Sequence, residues 1–220
     1  MSLDVIYKQV YVTTKLNDVN DAAAGDQTAG GTGTSLYSLL GVRILLDNVA
    51  ALALSDTTVG TLYGGIYQYV NFLSGGTASP ARGLVAFWAS SQTGANLFAS
   101  DGATQYTVHV DAAATTGAGF WAGAVLNSVT KGNFGWVQIA GLASFQSGSN
   151  TGAAPSDNNI GDLAVVSTTA TVNLVDALAD ATSVTCAILK KQLGVFAEAP
   201  GAATTAAVKR VLLKNNTWVF

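Results

Sequence analysis

Hydrophobic and polar positions alternate in short runs along this chain, and the clearest run lies between Gly132 and Ala143. In an extended chain, alternate side chains share a face. Phe134, Trp136, Gln138 and Ala140 therefore point one way. Asn133, Val137, Ile139 and Leu142 cannot all point the other way without a break at Gly141, where a glycine suits a bulge or a close backbone approach. The pattern predicts a buried strand with an aromatic anchor. Gln138 is the only polar side chain on the aromatic face, so its burial requires hydrogen-bond partners.

Other runs give further strands. Residues 4–14 read as an opening strand around Val5, Tyr7, Val10 and Val12. In 60–70, Tyr67 and Tyr69 share a face with Gly65, opposite Ile66, Gln68 and Val70; the order glycine, aromatic, Gln, apolar weakly echoes the central strand. Residues 83–89 place Leu84, Ala86 and Trp88 opposite Val85 and Phe87, so both faces are apolar and the strand is expected to be buried on both sides. Strands are also expected over 106–110, 162–167, 171–175, 184–196 and 208–213, with Lys190 and Lys191 marking an exposed edge in the fourth of these. Residues 36–54 read either as strand, turn at Asp47-Asn48 and return strand over 49–54, which is preferred, or as a helix.

The polar segments fall between these runs. Residues 17–34 hold almost no large apolar side chain and predict a mobile or partner-ordered loop. Residues 1–35 are accordingly read as an N-terminal strand and mobile Gly/Ala/Asp-rich arm, and 36–220 as a β domain. The long polar loop over 146–161 is a point of subdivision or an exposed insertion. Trp218 and Phe220 end the chain and are expected to dock rather than dangle.

Composition sharpens the fold class. Only 10% of residues are charged, against about 25% in an ordinary globular domain, and Glu198 is the single glutamate. Exposed helices draw on Glu, Lys, Arg and Gln, whereas Thr, Val, Gly and aromatics suit strands and turns. The expected fold is all-β, a compact barrel or sandwich-like domain. So little charge favours an oligomer or lattice component that covers part of its surface. With a formal net charge of −3 and no basic cluster, the chain is a poor nucleic-acid binder. No apolar run reaches the roughly 18 residues of a membrane helix. No secretory signal is visible, so synthesis in the cytoplasm is expected.

The Gly135-Trp136-Val137-Gln138 strand, following an aromatic and leading to a β-branched residue, a spacer and Gly141, resembles a strand of small structural proteins of tailed bacteriophages, capsid decoration (cement) proteins among them. Residues 119–125, 194–199 and 211–213 look similar to other parts of such proteins. The resemblance spans 60–220 loosely. It implies a virion structural protein on the outer capsid surface, partnered by the major capsid protein of the phage shell and assembled as a homotrimer. A tail or baseplate component is the second implication. A carbohydrate-binding β module, with Phe134 and Trp136 as a sugar platform, is the rival from the residues themselves.

Candidate chemistry is sparse. The single histidine, His109, shares a strand face with Asp111, but no nucleophile-elbow pattern accompanies the pair. One histidine and one cysteine, Cys186, cannot make a zinc site or a disulfide. The glycines at 30, 31 and 33 lack the Lys-Ser/Thr that a phosphate loop needs. Asp176 and Asp180 read as solvated turn residues, and the aspartates over 18–26 lack EF-hand spacing. No catalytic, cofactor-binding or metal-ligating residue is assigned, and no enzyme activity is expected.

Overall fold

The structure, a computed structural model, describes residues 41–55, 57, 60–73, 78–89, 106–111, 121–147, 160–161, 163–168, 173–177, 192–198 and 208–214. The expected strand over 4–14, the loop over 17–34, Asp180, Cys186, Lys190, Lys191, Trp218 and Phe220 lie outside these residues, as does 148–159 of the long polar loop.

The fold is all-β, as the alternation and composition imply. Among the described residues ten strands form one continuous sheet: β1 (Arg43–Leu46), β2 (Gly65–Phe72), β3 (Val85–Trp88), β4 (Thr107–His109), β5 (Trp121–Val125), β6 (Phe134–Gln146), β7 (Leu163–Thr168), β8 (Asn173–Ala177), β9 (Gln192–Phe196) and β10 (Val208–Leu213). Pairings β2–β4, β4–β3, β3–β5, β5–β6 and β6–β2 close a five-stranded barrel. Only β2–β4 is parallel among them. Strands β10, β9, β7 and β8 continue outward from β6, and a lone parallel bridge between Ser147 and Val175 returns β8 to the end of β6.

Strand β6 is the shared wall. Its first part pairs with β2, Tyr69 opposite Trp136 and Gly65 opposite Gly141. Its last part pairs with β10, Leu213 opposite Gly141 and Val208 opposite Gln146. Gly141 is the hand-over point. Its φ is +91°, a left-handed conformation that side chains disfavour. A Cβ there would also run into the Gly64 carbonyl. The break anticipated at Gly141 is therefore a bend that carries one strand from the barrel to the outer sheet. The two strands with echoing sequences, β2 and β6, turn out to be antiparallel neighbours.

Three apolar cores follow from the alternation. Val70, Phe72, Leu84, Ala86, Val108, Val110, Ala122, Val125, Val137 and Ile139 fill the barrel. Val85 and Phe87, on the opposite face of β3, pack with Ala143, Phe145, Leu193, Phe196 and Val211 beneath the outer strands. Strand β3 is thus covered on both faces, as its all-apolar sequence requires. Tyr67, Tyr69, Phe134 and Trp136 form the third core with Leu46, Ala51 and Leu62.

One expectation is corrected. The preferred return strand over 49–54 is instead helix α1 (Asn48–Ala53). Asp47 acts as an N-cap rather than a turn residue: its carboxylate accepts from the Ala50 amide at 2.7 Å. Asn48 uses its side-chain oxygen to accept from the Gly64 amide, also at 2.7 Å, which pins the helix start to the entry of β2. Alanine at 50, 51 and 53 supplies helix propensity, and Ala51 is fully buried against the third core.

Candidate functional site

Phe134 and Trp136 are each 1% exposed. Tyr69 lies opposite Trp136 in the β2–β6 register, its ring centroid 5.1 Å from that of Trp136 and 6.0 Å from that of Phe134. A sugar platform must present ring faces to solvent, so these two rings cannot form one, and the carbohydrate reading loses the residues it rested on. On the same face, Gln138 is buried and donates from Nε2 to the carbonyls of Ala140 (3.3 Å) and Leu142 (3.1 Å). Its amide thus satisfies carbonyls around the bend at Gly141. Tyr67, also on this face, donates its hydroxyl to the Tyr63 carbonyl; burial pushes its ionisation far above the ordinary tyrosine range, against the opposing effect of that bond.

His109 and Asp111 do share a face, pointing out of the barrel beside Phe87, whose ring stacks on the imidazole at 6.1 Å. Both are 6% exposed. Burial pushes the histidine pKa below its ordinary value, outweighing the upward pull of the Asp111 charge and backbone. Thr107 and Asn71 lie next to this pair, opposite each other in the β2–β4 register. Thr107 Oγ1, Asn71 Oδ1 and His109 Nδ1 are all buried without a hydrogen-bond partner. The Asp111 carboxylate accepts from the Ala78 amide. A catalytic pair needs access to substrate, and neither member of this one is open to solvent. Among the described residues no group of three or more His, Cys, Asp or Glu side chains could hold a metal ion. Asp176 falls in β8 rather than in a turn.

The outward surfaces are more informative. Leu142, Leu212, Val195 and Leu163 lie directly opposite one another across β6, β10, β9 and β7. Their strand neighbours Ala143, Val211, Leu213, Phe196 and Ala164 are buried in the second core, so this aliphatic row faces outward. Leu212 is 51% exposed, and the other three are half-buried. Val208 continues the row along β10. Arg210 interrupts it, donating from Nε and Nη2 to Glu198 Oε2 at 3.0 and 2.9 Å, while its amide donates to Oε1 at 2.7 Å. Partial burial pushes the Glu198 carboxyl up, but the bonds and charge of Arg210 outweigh it and hold the group below its ordinary value. A second apolar surface lies at α1, where Val49 and Leu52, one turn apart, are 78% and 52% exposed.

This row was not anticipated. Its members belong to four separate runs, and only the strand pairing brings them into line. No helix among the described residues is long and apolar enough to cross a membrane, which leaves strand-built membrane proteins untouched. Comparison of the chain with family models, with curated proteins and with solved structures finds no match.

Proposed function

We propose that this chain is a structural component of a tailed-phage virion, a decoration protein that binds the assembled head and adds to its stability. The observation that carries the reading is the Gly135-Trp136-Val137-Gln138 strand. The residues that resemble phage decoration proteins are also the ones around which this fold is built, since β6 serves both the barrel and the outer sheet. Two further features support it. Charge is sparse throughout the chain, and aliphatic side chains stand exposed on the outer sheet and on α1. Such surfaces suit contacts with neighbouring subunits.

The mechanism is mechanical. A protein that binds only the assembled shell stabilises it by mass action. A homotrimer matches the local three-fold symmetry of an icosahedral shell, and closed symmetry covers apolar surface that a lone copy would expose. The proposed partner is the major capsid protein, and the proposed location is the outer capsid surface. Adding purified protein to shells that lack it tests the reading. Saturable binding with raised shell melting temperature is expected. Binding to isolated tails instead would move the chain to the tail or baseplate, and binding to neither would end the virion reading.

A further inference from the structure

Arg82 stands out among the described charged residues. It precedes β3, is half-buried, and forms no ion pair with a described residue; its Nε is buried with no hydrogen-bond partner among the described residues. Arg210, by contrast, is ion-paired with Glu198 through Nε and Nη2. The Arg82 guanidinium lies flush on Gly60, where any side chain would collide with Cζ and both terminal nitrogens. Its own carbonyl accepts from Gln146 Nε2 at 2.6 Å, which fixes the backbone from which the side chain extends.

Arg82 lines a small cavity together with Thr61, Leu62, Gln138, Ser144 and residues 124–126 at and just past the end of β5. This is the seam where β6 passes from barrel to outer sheet. Leu62, Ala124, Val125 and Leu126 give it an apolar wall, and its polar members are a permanent cation, two hydroxyls and the Gln138 amide, with no carboxylate among them. The Gln138 amide is already committed to two carbonyls. The cavity leaves about 10 Å³ for the centre of an entering group, which is room for about one water-sized atom group. A planar guanidinium whose Nε has no described partner, beside hydroxyls and without a carboxylate in the lining, is suited to a carboxylate that inserts one oxygen.

We propose that Arg82, with Thr61 and Ser144, forms a binding site for a single carboxylate group. The site is independent of the virion reading. The carboxylate comes either from a small organic acid or from an acidic side chain of a docking protein, and the chemistry at Arg82 is the same for both.

The chain has three arginines, Arg43, Arg82 and Arg210, so the Nε–Hε signals of the ¹⁵N-labelled full-length protein form a small, assignable set. Sodium acetate is titrated at constant ionic strength against sodium chloride. A saturable shift of the Arg82 signal is expected, with half-saturation below about 10 mM, while exposed Arg43 and ion-paired Arg210 move little. Arg82→Lys keeps the charge and loses the fork. Followed through the Thr61 and Ser144 amides, it should weaken acetate binding at least about tenfold. A parallel titration with a short blocked aspartate peptide separates the sources: tighter binding than acetate points to a protein side chain, equal binding to a free acid. An Arg82 signal that moves no more than that of Arg43 overturns the proposal. So does one that ignores acetate but titrates with pH through the carboxylate range, because an acid of the chain itself then fills the site.

Discussion

Replacing Trp136 with alanine probes the centre of the fold. The indole is 1% exposed, faces Tyr69 across the β2–β6 pairing, and packs in the core that holds α1 against the barrel. Removing so large a side chain loses its transfer energy and leaves a cavity that the closed barrel wall cannot collapse into, a cost of about 3–5 kcal/mol. For a chain of this size that corresponds to a fall of roughly 6–20 °C in melting temperature. Trp136→Phe separates packing from polarity. The indole Nε1 is buried without a partner, so phenylalanine removes an unsatisfied donor while keeping one ring. Its cost should be below about 1.5 kcal/mol. Urea and thermal unfolding, followed by far-ultraviolet circular dichroism, measure both. An alanine variant within about 0.5 kcal/mol of wild type would refute the reasoning, because surface substitutions behave that way and core ones do not.

Gly141→Ala should cost about 1–3 kcal/mol from its left-handed backbone alone, with more from the Gly64 carbonyl it would strike; equal unfolding midpoints would show that β6 does not need the bend. His109 has a folded pKa below its ordinary 6.5, so the unfolded chain takes up the proton first. The stability this histidine contributes is complete above pH 6.5 and lost as pH falls below it; His109→Asn should flatten the stability profile between about pH 7 and 5, and an unchanged profile would contradict the burial. Glu198 is depressed instead, so its contribution is present above the ordinary carboxylate range and lost on acidification through it. Glu198→Gln should shift the melting temperature slightly in low salt and not at all in high salt, and a large salt-independent loss would count against a surface role for the pair.

Local pattern reached the strands but not their arrangement. Alternation placed Phe134 and Trp136 on one face of β6, both faces of β3 in apolar surroundings, and the tyrosines of β2 together, because side-chain direction in a strand depends only on parity. It also located the discontinuity at Gly141, since no single parity could accommodate Ile139 and Leu142. What that discontinuity does was hidden, because it depends on β2 and β10 arriving on opposite edges of β6 from far away in the chain. The helix over Asn48–Ala53 was visible as an alternative but lost to the turn reading of Asp47-Asn48. Aspartate favours turns and N-caps for the same reason, its short carboxylate accepting a nearby amide. The aliphatic row and the unpaired Arg82 are products of non-local pairing, and no window of sequence contains either.

The proposed virion role is tested most directly by the copy number of this chain in purified particles of the phage proposed to encode it. Heads and tails are separated and quantified by mass spectrometry against the major shell protein. The account predicts that the chain is found on heads, in a fixed proportion to the shell protein, and is released intact when the shell is dissociated. Absence from the particles, or recovery with tails alone, would contradict it.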